Sequence, residues 1–177
     1  VIFINYKDYI NLEVYGSSKN FFQKLYARYF LPQTNAVFLI RTFQRYSAKK
    51  NKLANIVSKY YKLKLAKYYG IYIGQNTKIG IGLSLPHPNG IIFGDGVVIG
   101  NNVTIYQQVT FGVARREDSP AGKYPIIGDD CIFFAGAKVI GNIKIGSNVI
   151  VGANCVLNSN ADDDSIYVGV PGKKIKK

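Results

Sequence analysis

Two residue types that do chemistry near neutral pH are scarce in this chain: there is one histidine, His87, and there are two cysteines, Cys131 and Cys155. A neutral imidazole can accept a proton near pH 7, and a hydroxyl relieved of its proton becomes a far better nucleophile. His87 stands in Leu85-Pro86-His87-Pro88-Asn89-Gly90. A lone histidine is more often structural than catalytic, so the setting must decide. The cysteines have no metal-ligand spacing and are too few for a disulfide framework, which makes a reducing compartment the default.

What positions His87 is a repeat. Apolar residues fall at Ile73, Ile79 and Leu85, then at Phe93, Ile99, Ile105 and Phe111, and then at Ile127, Phe133, Val139, Ile145, Val151 and Leu157, with a step of six inside each set. A second inward position follows four residues after most of them, at Thr77, Leu83, Val97, Val103, Val109, Cys131, Ala137, Ile143, Val149 and Cys155. Both cysteines are therefore expected to be buried packing residues. A period of six is neither helical nor ordinary strand alternation; it predicts a β-solenoid, whose short segments bury an apolar face only by stacking on their neighbours. Glycine follows the lead residue at Gly74, Gly80, Gly94, Gly100, Gly112, Gly128, Gly146 and Gly152, where a corner is expected to need positive φ. The phase breaks twice. Two residues are inserted around His87, and a polar excursion covers 113–125; in solenoids such departures commonly carry the site.

Before Gly70 the sequence has a different grammar. Residues 1–18 alternate loosely and end at Gly16-Ser17-Ser18, where a serine is expected to cap a helix from Asn20 to Phe30, closed by Pro32. A longer helical stretch is expected from Asn35 to Tyr69, broken near Ser47 to Lys52. Residues 1–70 carry 13 Lys and Arg against Asp8 and Glu13, whereas residues 71–177 carry 10 against 8, so the net charge of +13 divides as +11 and +2. Three readings stay open for this basic, aromatic-rich face: a solvated surface, contact with anionic lipid, or nucleic acid. No recognition motif supports nucleic acid. No apolar run approaches the roughly 20 residues that span a bilayer, and no signal-type segment opens the chain.

The run from Ile79 to Gly112, the segment Phe134-Ala135-Gly136-Ala137-Lys138-Val139-Ile140-Gly141-Asn142 and the terminal Gly169-Val170-Pro171-Gly172-Lys173 resemble the hexapeptide-repeat acyltransferases, above all serine O-acetyltransferases and their relatives in polysaccharide gene clusters. The resemblance covers about residues 71–175. It implies a mainly β protein, a left-handed parallel β-helix of four to five triangular coils behind a small basic α-helical region at 1–70, assembled as a trimer or a dimer of trimers. It implies acetyl-CoA as co-substrate with no bound cofactor, and His87 as the general base that deprotonates an acceptor hydroxyl. It points to Ala135 and Ala153 as walls of the CoA groove, with Gly112 and Gly136 beside it and Lys173 and Lys174 toward the CoA phosphates; small residues also simply suit tight corners. A metal-dependent activity on this scaffold uses three histidine ligands, and this chain has one.

The departures from that family bear on the acceptor. The aspartate expected to pair with the histidine is replaced by Tyr72, the one just before it by Pro86, and an Arg-His-Pro in the excursion by Lys123-Tyr124-Pro125. Asp95 is the nearest acid in sequence and is the candidate partner of His87. Tyr72, Lys123 and Tyr124 are candidate acceptor contacts. These changes lead to the expectation of an O-acetyltransferase acting on a sugar hydroxyl of a capsular, O-antigen or exopolysaccharide unit, at the cytoplasmic face of the membrane. The alternatives are a serine O-acetyltransferase with a modified acceptor site and a catalytically silent β-helix scaffold.

Overall fold

The computed structural model describes residues 5–16, 20–49 and 51–175. From Tyr72 onward the chain winds through about five turns, each placing a segment of two or three residues on three faces. The first face stacks Tyr72–Ile73, Ile92–Phe93, Thr110–Gly112, Lys138–Ile140 and Val156–Leu157. The second stacks Lys78–Ile79, Val98–Ile99, Ile126–Ile127 and Lys144–Ile145. The third stacks Thr104–Ile105, Ile132–Phe133, Ile150–Val151 and Ile166–Val168, closed at its edge by the antiparallel strand Lys173–Ile175. All other ladders are parallel and in register, with Phe93 against Phe111 and Phe111 against Val139.

The hexad pattern accounts for the interior. Every lead position and every second inward position named above is buried. The Phe93 and Phe111 rings stack at 5.8 Å, and Phe133 meets Phe111 edge-on at 4.9 Å, so an aromatic cluster joins two successive coils. The last turn departs from the period. Its second face is a single bridge from Ala161 to Ile145, and its third face buries Tyr167.

The glycines after the lead residues serve a different end from the one expected. Gly100 does not have positive φ; a Cβ there would stand 2.5 Å from the Gly128 carbonyl oxygen, so the requirement is close approach of stacked corners. Positive φ falls instead on Asn102, Asp130, Asn148 and Asp164 at the corner between second and third faces, and on Gln108 and Asn154 at the corner between third and first. Asn and Asp tolerate that region and can bond locally. They also form ladders between coils: the Asn102 amide donates to Asp130 at 3.1 Å, and Asn148 to Asp164 at 2.6 Å.

The N-terminal region is helical. Helix α1 (Tyr6–Tyr9) opens with a capping box between Asn5 and Asp8 and runs into a π-helical stretch, Ile10–Tyr15. Helix α2 (Phe21–Phe30) is capped by Asn20 and Gln23; Ser17 and Ser18, expected as caps, lie outside the described residues. Pro32 does not merely end α2. It is the first residue of α3 (Pro32–Ser47), where its missing N–H costs nothing. Helix α4 (Lys52–Tyr69) begins after the expected break, capped by Asn51, and stops at Gly70, which takes φ +60 and turns the chain into the first strand.

Helix α3 lays Ala36, Val37, Phe38, Leu39, Ile40 and Phe43 on the first coil, in one core with Leu65, Ile71 and the solenoid interior. A buried ion pair fastens this junction. Arg41 meets Glu13 twice at 2.6 Å, with side chains 3% and 1% exposed, and also donates to the Ile79 carbonyl at 2.8 Å. Glu13 in turn accepts the N–H groups of Gly82 and Leu83 at 2.7 and 3.1 Å. Helix α2 buries only Ala27 and leaves Phe21, Phe22, Leu25, Tyr26, Tyr29 and Phe30 exposed.

Candidate active site

The corner between the third and first faces carries His87. In later coils the Gly136 N–H bonds the Gln107 carbonyl, and the Asn154 N–H bonds that of Ala135. In the first coil the equivalent bond runs from the Gln108 N–H to the Asn89 carbonyl, so Asn89 takes the place that Gln107 and Ala135 take below it. His87 and Pro88 are thus the two inserted residues. They form a bulge that pushes the imidazole outward, and His87 is exposed.

The imidazole lies 5.9 Å, ring to ring, from Tyr106, tilted by 53°. Tyr106 stacks on Phe134 at 5.3 Å. Both aromatics occupy the position after a lead residue, where this repeat otherwise favours glycine, and that exception is the sequence signal by which they could have been found. Among the described residues, no group hydrogen-bonds either imidazole nitrogen. On the same corner the N–H groups of Ala135 and Ala153 have no acceptor among the described residues, and the Gln107 amide oxygen is buried without a partner. The ladder therefore presents a base and two free donors along a single edge, and Gln107 adds an unpartnered oxygen that is buried.

Of the residues singled out from the sequence, Ala135, Gly136 and Ala153 share this edge with His87. Gly112 does not. It ends a first-face strand opposite Ile140, at the corner leading to the second face, where the excursion begins. Asp95 is likewise on that other corner. Its carboxylate takes the Asn76 N–H at 3.1 Å and the Asn76 amide at 2.8 Å, so within the chain it braces the adjacent coil and does not pair with His87. Partial burial would raise its pKa, but the bonds from Asn76 and Gln75 outweigh that and hold the carboxyl below its ordinary value.

Two of the candidate acceptor contacts are occupied elsewhere. Tyr124 is buried, its ring lying on Gly94 and Gly96 and its hydroxyl bonded to Ser119 at 2.6 Å, so it is a packing residue of the excursion and not a pocket wall. Lys123 is paired with Asp118 at 3.0 Å. Tyr72 does stand free, exposed on the first face beside Ile92. Lys174 pairs at the surface with Asp162, 2.9 Å away, while Lys173 is exposed opposite Val168 on the closing strand.

Residues 124–159 match the family described as bacterial transferase hexapeptide (six repeats), and residues 70–107 match the hexapeptide repeat of succinyl-transferase. A serine acetyltransferase of Staphylococcus aureus (strain Mu50 / ATCC 700699) is 41% identical over 133 residues, which are 75% of this chain and 59% of that one. The chain thus spans about three-fifths of that relative's length. Among solved structures, the Neisseria gonorrhoeae serine acetyltransferase superposes with a TM-score of 0.78 at 26% identity, covering 97% of this chain and 65% of that one. A serine acetyltransferase solved with CoA shares the fold at 24% identity, with a TM-score of 0.76 over 96% of this chain and 69% of that one. With the three-faced solenoid, the two hexapeptide matches and the helical region in agreement, the chain is a hexapeptide-repeat β-helix similar in sequence and fold to the serine acetyltransferases.

Proposed function

We propose that this protein transfers an acetyl group from acetyl-CoA to a hydroxyl, with His87 as general base. The observation that carries the reading is the His87 bulge at the head of an edge where the Ala135 and Ala153 N–H groups are free. Those groups suit the alternating amides of a pantetheine arm. In a ternary complex the acceptor O–H gives its proton to the imidazole as its oxygen attacks the thioester carbon. The tetrahedral intermediate then collapses with cleavage of the C–S bond, and the imidazolium returns the proton to the departing CoA thiolate. To Lys173, exposed on the closing strand opposite Val168, we assign contact with the CoA phosphates as a point charge.

L-serine is the first acceptor to test, because the relatives at 41% identity are named serine acetyltransferases. A sugar hydroxyl is the second. What favours it is that Tyr72 and Pro86 stand where the serine-reading acids would be, while Lys123 is tied to Asp118 and Tyr124 is buried. A free amino acid needs both its charges matched, and these positions no longer supply the partners. CoA release from acetyl-CoA, measured with L-serine and with a panel of oligosaccharides, separates the two. Turnover on serine alone removes the saccharide reading, and turnover on a glycan alone removes serine. Release with neither, in protein that binds CoA, favours the silent scaffold.

We also propose that chains assemble as trimers and that the basic helical region meets an anionic lipid surface from the cytoplasmic side. Supporting the contact are the outward aromatic side of α2 and the +11 net charge of residues 1–70. Among the described residues, no helix is long and apolar enough to cross a membrane.

A further inference from the structure

Helices α2, α3 and α4 line an open cavity of about 500 Å³ that the transfer chemistry does not use. Its walls include Arg28, Tyr29, Tyr61, Lys64, Tyr68 and Tyr69, and none of its lining residues is acidic. The Arg28 guanidinium lies 4.0 Å from the centre of the Phe38 ring and 5.1 Å from that of Tyr29. It forms no ion pair with any described residue, and its Nε is buried without a hydrogen-bond partner. A half-buried cation that faces no carboxylate and keeps one buried donor unpaired is a poor structural element, since a buried donor left unmade costs more than the bond contributes. It is a good receptor for an anion, and the guanidinium fork matches phosphate.

The other walls narrow the class. Lys64 brings a second cation, held 4.9 Å over the Tyr60 ring. The tyrosines bring flat faces and hydroxyls, which suit the C–H faces and hydroxyls of a pyranose. The volume lies within the range of small-ligand sites. The cavity is also bonded to the catalytic stretch: Asn35, another of its lining residues, receives the Tyr69 hydroxyl at 2.8 Å, and the Tyr69 carbonyl takes the Gly90 N–H at 2.8 Å, three residues beyond His87.

We infer that this cavity binds a phosphate-bearing saccharide, holding the part of an acceptor that does not react. The inference rests on the saccharide reading for the ligand's role as acceptor; the binding itself is measured without turnover. Calorimetric titration of the full chain with glucose, galactose, mannose and N-acetylglucosamine 1-phosphates, with the parent sugars and with inorganic phosphate, is the test. At least one sugar phosphate should bind, at least tenfold tighter than its parent sugar or phosphate alone. Arg28→Gln and Lys64→Gln should each weaken it at least tenfold, while Arg45→Gln, whose guanidinium sits over Tyr6, should not. Thermal melts identify any variant that has lost its fold, and the two substitutions test the cavity independently. Failure of all four sugar phosphates, or undiminished binding in both variants, overturns the inference. Binding of phosphate as tight as of any sugar phosphate overturns its saccharide part. Sugar-phosphate binding without acetylation leaves the cavity assigned and removes the acceptor reading instead.

Discussion

His87 has a setting that a packing histidine would not need: an inserted bulge, an exposed ring and an aromatic neighbour in the next coil. His87→Ala should therefore lose at least about a hundredfold in the rate of CoA release, the range in which general bases contribute. A variant with full activity would end the assignment. The uniqueness of His87 and its break in phase were legible in the sequence because both are properties of spacing. Tyr106 was legible only as an exception to the glycine rule. That Asp95 belongs to Asn76, and that Tyr124 folds onto Gly94 and Gly96, could not be read, since the first depends on which side chains meet across stacked corners and the second on where the excursion folds back.

Cys131 shows the other side of residue chemistry. Its thiol is fully buried, with Sγ 3.1 Å from the Gly146 carbonyl, and burial pushes its pKa up to about 11. At pH 8 that leaves roughly one thiol in a thousand as the reactive thiolate. Iodoacetamide should leave Cys131 unlabelled in folded protein and modify it promptly in denaturant. Rapid native labelling at pH 8 would contradict the packing role. The sign for stability follows. The unfolded chain releases this proton near the ordinary 9.0, so the contribution of the neutral thiol is intact below that pH and is lost as pH rises toward about 11.

Among the elements, the junction of helices and solenoid depends on Glu13 and Arg41. Both side chains are nearly inaccessible, and Glu13 also receives two backbone N–H groups at the first corner between second and third faces. Removing one member strands the other, which costs about 3–5 kcal/mol when a buried pair is broken. Glu13→Ala should shift the denaturant midpoint accordingly, whereas Lys123→Ala, which breaks a surface pair, should stay within about 1 kcal/mol. Equal effects would mean that the junction is held by apolar packing alone. This element-level bond was invisible in the sequence: Glu13 and Arg41 are far apart in the chain, the first in a stretch read as loose alternation and the second in one read for helical period. The helix break near Ser47 to Lys52 and the change of grammar at Gly70 were legible, because a cap and a left-handed glycine are local requirements.

At the scale of the whole molecule, the unresolved tension is an amphipathic helix turned outward. Helix α2 exposes Phe22 at 78%, Phe21 at 72% and Phe30 at 69%, and keeps only Ala27 inside. It contains no acidic residue, and the region around it has a net charge of +11. Lysines and arginines near an anionic leaflet contribute about 1 kcal/mol each, and the aromatic rings add the burial of their faces. The protein should therefore sediment with vesicles containing phosphatidylglycerol, bind those of phosphatidylcholine at least tenfold less, and be released by high salt. Phe22→Ser with Phe30→Ser should weaken that binding about tenfold or more without changing the rate of CoA release on a soluble acceptor. Binding indifferent to lipid charge and to these substitutions would refute the contact. A doubly substituted protein that shrinks from a larger to a smaller assembly in sedimentation would place another copy of the chain on the face in lipid's stead. The first outcome would join the +11 region, the outward aromatics and the His87 edge in one arrangement, with the site held against a surface where lipid-borne acceptors are concentrated.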